Sequence, residues 1–386
     1  MGEAARVTPS PVVCLVQPTR YPEASRVDIY EYSRALARLG VETHAIVSED
    51  VSASSEAGLS VHALDIPPVN TPATWWRFAR AARAIVRRLV HERSLGIVHL
   101  FNPSPATYLL GRQLAREEHR PALVYDLRTG GLGYGPDALL TDLMARRAVR
   151  FADCMIALTP ELGRRLLGER ARFDEVPLGV NLESFTPRSP GRRDPGAFSF
   201  VYAGTLSPNR ALHNMLRAFA AVVREHPQAR LEIAGDGADR RRLERLAHEL
   251  GVGEAVRFLG VRPYAEIPGL LASADCGLAY VPDRPWFQPQ PQLKTLECLA
   301  ANLPVVAVRT GGNRQIWDGL PPQLLTADTP EAFAAGMRFA LEHREELAAV
   351  SFRRAAERFS WERITRERLL PVYEALIRSR AGGRQS

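Results

Sequence analysis

A single lysine stands among the fifty basic residues of this chain: Lys294, in the run PQLKTLECLA, with Glu297 three positions beyond it. The other forty-nine are arginine, so an ammonium has been kept where the sequence elsewhere uses a guanidinium. Three residues apart at the beginning of a predicted helix, the two side chains share one face. A surface ion pair would account for the spacing. It would not account for the lysine, since arginine pairs with glutamate at least as well on a surface. A compact ammonium on a flexible stem suits a tight place where one phosphate oxygen must be met. Pro289 and Pro291 just before it preset an extended approach and a helix start.

A second candidate lies downstream in LPVVAVRTGGNRQIW. A buried strand runs into Thr310, Gly311 and Gly312 at a helix start, where two glycines would let backbone N–H groups approach a phosphate at the positive end of the helix. A plain turn between strand and helix is the alternative.

The elements that must hold these groups alternate regularly. Short apolar runs such as PVVCLVQP, VETHAIV, GIVHLFNP and PALVYDLR are separated by helix-period stretches, the pattern of parallel sheets covered on both faces. The alternation restarts after a Pro-, Gly- and charge-rich stretch from Thr186 to Phe198, which reads as a linker, with FSFVYAG, ARLEIAGDG, CGLAYV and LPVVAV as later strands. The fold class is α/β, with two doubly wound Rossmann-like domains, residues 1–187 and 188–360, and a closing helix over 361–386. A ligand is expected where the carboxyl ends of two such sheets open into a cleft.

At 386 residues the chain suits two cores, and 46% hydrophobic with 24% charged residues is an ordinary globular composition. A formal charge of +7 fits an anionic partner without choosing one. Cys14, Cys154, Cys276 and Cys298 are scattered within apolar runs and read as reduced core thiols. No apolar run reaches the ~18 residues of a membrane span and no signal-peptide pattern opens the sequence, so a cytoplasmic location is expected. The helix over 74–93 carries arginines on one face and Phe78, Ala82, Ile85, Val86 and Leu89 on the other. It is a candidate for weak contact with an anionic membrane, although its place between two strands demands that apolar face for packing.

The ordered series YAGTLSPNRALHNMLRAF, LEIAGDGADRRRLERLAHELG, LKTLECLAANLPVVAVRTGGN and SWERITRERLLPVYEAL resembles the family-4, GT-B fold retaining glycosyltransferases, over nearly the whole chain. The resemblance implies that 188–360 binds a nucleoside-diphosphate sugar, that 1–187 binds the acceptor, and that the closing helix crosses back onto the first domain. Carried over by position, Glu297 would hold the donor ribose and Gly204 would open the first donor loop. Arg210 falls at the phosphate-binding lysine, while Lys294 belongs to a P-x-L-K-x-L-E variant that also includes Gln292 and Leu293. Thr205, Thr310, Gly311 and Gly312 complete the donor-binding set. Arg210 and Lys294 would stabilise the departing diphosphate without a metal or other cofactor. Arg128, in YDLRTGGLG, stands near the place of an active-site histidine, making it a third catalytic candidate; with Arg26 and Asp126 it falls on the acceptor side.

Departures from the pattern are specific. Pro289 replaces a sugar-contacting glutamate, with Gln288, Gln290 and Gln292 around it as neutral donors. Thr205 replaces a phosphate-binding arginine. His99 reads as a satisfied core histidine more readily than a catalytic one, and Asp236 as a turn residue. The expected activity is retaining transfer of a sugar to an acceptor hydroxyl or amine, with no nucleic-acid partner. A catalytically silent nucleotide-binding subunit and a nucleotide-sugar 2-epimerase are the alternatives.

Overall fold

Strands that are apolar on both faces need cover on both, and every main strand of this chain is paired in parallel. The computed structural model describes residues 11–382 apart from 22–26, 51–55, 68–69, 102–103, 134 and 188–195. It divides into a first unit, Met1–Pro177 with Trp361–Ser386, and a second, Leu178–Ser360.

In the first unit seven strands run in the order Leu59–Ala63, Thr43–Val47, Val13–Val16, Ile97–Phe101, Ala122–Leu127, Cys154–Ala157 and Asp174–Glu175. Strand order reverses between Val13–Val16 and Ile97–Phe101, the switch point of a doubly wound sheet. The central strands are buried along their whole length, which is why they read as continuous apolar runs. The helix Pro72–Arg93 starts at a capping box on Thr71 and ends at Ser94 in the left-handed region. It buries Phe78, Ala79, Ala82, Val86 and Leu89, while Arg83 and Arg87 both pair with Glu117, at 2.6 and 3.0 Å. Its apolar stripe is thus used internally, and the large apolar side chain this helix leaves exposed is Trp76, at 58%. The closing segment passes through a π-helical turn at Thr365–Leu369 into Leu370–Gly382, and within this unit Trp361 packs edge-on against Tyr32 at 4.9 Å.

The second unit repeats the plan with six strands, Val256–Gly260, Ala229–Ala234, Phe198–Ala203, Cys276–Ala279, Val305–Val308 and Leu325–Thr326. Its switch point lies between Phe198–Ala203 and Cys276–Ala279. The boundary between the units falls at 177/178, earlier than the 187/188 read from composition. Residues after Pro177 are already tied to the second unit: the Val180 N–H donates to the Phe359 carbonyl at 2.7 Å, and the Arg353 guanidinium donates to the carbonyls of Leu182 and Phe185. Proline and glycine content marks where a chain is irregular, not where its contacts change sides. Most of the linker stretch itself lies outside the described residues.

All four cysteines are free thiols, three of them buried, and burial pushes Cys14 and Cys276 far above the ordinary thiol range. Among the described residues no helix is long and apolar enough to cross a membrane.

One pair gives the fold an acid-sensitive point. His44 Nδ1 and His62 Nε2 lie 3.1 Å apart on neighbouring strands, with the rings stacked. Burial, then the His44 and Arg88 charges, lowers His62 to about 4. An unfolded histidine titrates near 6.5, so between about 6.5 and 4 the unfolded chain binds the proton that the fold refuses, and stability falls as pH falls. Urea unfolding should show a loss of about 1–2 kcal/mol from pH 7 to pH 5 from this residue. His62→Gln should flatten most of that slope; an unchanged slope would place the acid sensitivity elsewhere.

Candidate functional site

The loop leaving Phe198–Ala203 opens at the switch point of the second sheet, and its first residue, Gly204, has φ +154°. Backbone geometry favours glycine here, and the space a side chain would take is already occupied. A Cβ at this position would sit 2.9 Å from Lys294 Nζ and 3.2 Å from the Tyr202 hydroxyl. Gly204 therefore makes room for the lysine head group.

Lys294 is in the first turn of the helix Leu293–Ala300, whose N-cap is Gln292. Its ammonium donates to the Tyr202 hydroxyl at 2.8 Å and lies 4.1 Å from the centre of the same ring. Burial, and after it the Arg210 charge, holds the Lys294 ammonium well below the usual lysine range; Glu297 opposes this. Burial also lifts the Tyr202 phenol to about 12, so it stays a neutral acceptor. Arg210 ends the short turn Pro208–Arg210, donates to Gln292 Oε1 at 3.1 Å and lies over Phe287 at 5.1 Å. Two cations thus share one corner of the second unit, and the contacts that hold them are with a phenol, an amide and aromatic faces. Glu297, one turn beyond Lys294, is only 6% exposed. Leu293 is half-buried in the same first turn and Thr205 is exposed. Such a corner is short of negative charge, and a diphosphate would supply it.

The Thr310–Gly312 junction is built differently from the expectation. Thr310 is the buried N-cap, accepting from the Asn313 N–H at 3.3 Å. The Gly311 N–H already donates to Gln288 Oε1 at 2.7 Å and the Gly312 N–H to the Gln288 carbonyl at 2.8 Å. A Cβ on Gly312 would lie 2.2 Å from the Gln290 backbone. These glycines let the Gln288–Pro291 segment pack against a helix of only six residues, and in this structure neither amide faces an open phosphate site. The neutral donors expected from the glutamines are also engaged: the Gln288 side chain bonds Asp283 as well as Gly311, and Gln292 Nε2 donates to the Gln290 carbonyl at 3.2 Å. Asp236 accepts from the Gly237 N–H at 2.7 Å and from Arg240, a turn residue.

In the first unit the expected acceptor residues form a closed network. Arg128 is 5% exposed. It donates to Asp28 from two nitrogens at 3.0 and 2.9 Å, to the Val176 carbonyl at 2.8 Å and to the Pro177 carbonyl at 3.4 Å. Asp126 is fully buried, 3.6 Å from Arg128 and 3.2 Å from His99 Nε2. His99 Nδ1 meets the Tyr373 hydroxyl at 2.6 Å. Arg128 and Asp126 were expected to touch acceptor, and Arg128 to take part in the chemistry. In the structure they link the helix that begins at Val27 to the end of the sheet, with the guanidinium donating to groups of the fold. Arg26 lies outside the described residues.

Tyr202 and Phe287, which cradle the two cations, are absent from the sequence reading. Tyr202 shares strand parity with Phe198 and Phe200 and so looks like core; all three are buried. The signal that finds it is its place two residues before Gly204, at the carboxyl end of the first strand of its sheet. No group of three His, Cys, Asp or Glu residues among the described ones could hold a metal ion.

Residues 197–343 match the family described as Glycosyl transferases group 1, and residues 24–179 match the Glycosyl transferase 4-like domain. A D-inositol 3-phosphate glycosyltransferase of Geodermatophilus obscurus is 31% identical over 66% of this chain and 59% of its own length. A GDP-mannose-dependent alpha-(1-6)-phosphatidylinositol dimannoside mannosyltransferase of Mycobacterium tuberculosis is 33% identical over 54% of each chain. The chain therefore spans between half and two thirds of the length of these curated relatives. Among solved structures, sucrose-phosphate synthase of Thermosynechococcus elongatus superposes with a TM-score of 0.78 at 19% identity, covering 96% of this chain and 100% of that one, a likeness of fold.

Proposed function

We propose, on the premise that this chain belongs to the group 1 glycosyl transferases and has their GT-B fold, that it moves a hexose from a nucleoside-diphosphate donor to a hydroxyl or amine with retention and without a metal. The observation that carries this reading is the corner formed by Lys294 and Arg210, two cations held by neutral groups beside a buried glutamate. Fixed cations there would stabilise charge on the β-phosphate as the anomeric C–O bond breaks. In a front-face displacement the new C–O bond forms on the same face, and the acceptor proton passes to the leaving phosphate oxygen. Positioning and electrostatics then do what a strong base does elsewhere. A relative named for GDP-mannose and another named for inositol 3-phosphate make a GDP-linked hexose and an inositol-type polyol the first pair to test.

Calorimetry with GDP, UDP and ADP, together with donor turnover in excess EDTA, tests the reading. One diphosphate should bind, turnover should require acceptor and survive EDTA, and Glu297→Ala should weaken donor binding by about 10- to 100-fold, the loss of a charged acceptor to ribose hydroxyls worth roughly 1.5–3 kcal/mol. Activity restored only by Mg²⁺ or Mn²⁺ would overturn the metal-independent mechanism. One observation favours a silent nucleotide-binding subunit as a second reading: Gln288 occupies both junction amides. Diphosphate binding with no turnover of any donor would select it, and donor conversion without acceptor would select an epimerase.

A further inference from the structure

In the strand Phe198–Ala203, alternation puts Phe198, Phe200 and Tyr202 on one face, and all three are buried. The first two end in apolar contacts: their ring centres are 4.8 Å apart, and Phe200 meets Phe219 edge-on at 6.2 Å. Tyr202 is the last of the series, where the strand passes into the loop at Gly204, so its ring completes the core while its hydroxyl reaches the site. That hydroxyl has two partners. It accepts from the Lys294 ammonium at 2.8 Å and donates to the Thr205 carbonyl at 3.4 Å.

A carboxylate in the same place would hold the ammonium, but it would also neutralise it. The Tyr202 phenol, pushed up to about 12 by burial, stays neutral, and an aromatic face attracts a cation without cancelling its charge. An ammonium has three N–H donors, so one spent on the hydroxyl leaves two for a ligand. Arg210 is held on a similar plan by Gln292 Oε1 at 3.1 Å and the Phe287 ring at 5.1 Å. Tyr202 differs in reach: its one oxygen ties the helix Leu293–Ala300 to the loop that follows Phe198–Ala203.

We propose that Tyr202 is a positioning residue for sugar transfer, its hydroxyl and ring fixing the Lys294 ammonium against the Thr205 loop with the charge left free for a donor diphosphate. This role rests on the donor reading given under Proposed function. A cation fixed before the bond breaks needs no reorganisation as charge develops on the leaving phosphate. Tyr202 therefore acts only through Lys294. Without the lysine there is nothing for the hydroxyl to position.

The test is a double-mutant cycle on the full chain, with GDP-mannose, UDP-glucose and ADP-glucose as donors and inositol 3-phosphate as acceptor. Tyr202→Phe keeps the ring and deletes the hydroxyl. It should lower kcat per folded molecule by about tenfold or more while the donor dissociation constant changes by less than about threefold. In the Lys294→Met background the same substitution should cost less than about twofold. Phe200→Leu, in the same row of the strand, is the structural comparison: it should lower the thermal midpoint and leave kcat per folded molecule unchanged in both backgrounds. A kcat for Tyr202→Phe within about twofold of the parent would overturn the proposal, as would a loss of equal size with and without Lys294. Weaker donor binding at unchanged kcat would also overturn it, making the hydroxyl a ground-state contact. A parent that turns over none of the donors would instead overturn the donor reading, and this role with it.

Discussion

Replacing Lys294 by methionine is expected to lower kcat by about 10²–10³ while weakening donor binding much less, the scale set by removing one preorganised electrostatic donor. The ammonium sits beside Gly204, on the Tyr202 hydroxyl at 2.8 Å, so methionine fills most of the stem's volume and deletes only the charge. The same substitution should make the ligand-free protein more stable. Burial and Arg210 hold the folded Lys294 ammonium well below its ordinary range. Between that lowered value and the unfolded value near 10.4, the unfolded chain binds more protons, so wild-type stability rises with pH through the window. Below it the half-buried charge opposes folding throughout. The methionine variant should lose that slope and gain roughly 2–4 °C in Tm at neutral pH, which about 1 kcal/mol produces in a domain of 150–250 residues. A donor site is thus held at some cost in stability, as expected where a cation waits for an anionic ligand. Lys294→Arg is the control: it keeps the charge but spreads it over a planar fork that the space beside Gly204 does not fit, and an intermediate kcat is expected. Full activity in the arginine variant, with unchanged stability, would leave Arg210 to carry the phosphate alone.

Arg128→Met should act on the other property. Its removal leaves Asp28 and the fully buried Asp126 without their guanidinium and frees the carbonyls of Val176 and Pro177. Breaking a buried pair from one side costs about 3–5 kcal/mol, which in a domain of this size lowers Tm by roughly 10 °C or more. The readout that separates a brace from a catalytic group is turnover per folded molecule at low temperature, which should stay within about threefold of the parent. Loss of turnover with an unchanged Tm would return Arg128 to the chemistry. The Asp126–His99–Tyr373 chain should weaken with it, since Tyr373 comes from the closing helix and its hydroxyl reaches His99 at 2.6 Å.

The two sites differ in how well their sequence announced them. Lys294 stood out by residue type alone, and its spacing to Glu297 put both on one helical turn, where the structure has them. Gly204 was equally legible as the first residue after a strand. Gly311 and Gly312 are ambiguous for a physical reason: a glycine pair at a helix start serves an anion or a close backbone neighbour equally well, and only the tertiary structure shows that both amides bond Gln288. Arg128 is ambiguous in the same way, because a charged residue at the end of a strand can point into solvent or into a buried network. Its partner Asp28 is a hundred residues away in the chain, so no local pattern could pair them.

What the sequence determined by itself is the part of the protein that local periodicity controls. Runs apolar on every residue require parallel strands covered on both faces, alternating helices supply the cover, and a restart of that pattern requires a second sheet. Tertiary structure decided everything that depends on which distant side chains meet. It assigned residues 178–187 to the second unit through Val180, Leu182 and Phe185, buried the apolar stripe of Pro72–Arg93, and left the leucines of Pro136–Ala148 exposed. It also set Tyr202 under the ammonium of Lys294. Helical period tells which residues share a face, but only packing determines whether that face meets a sheet or water.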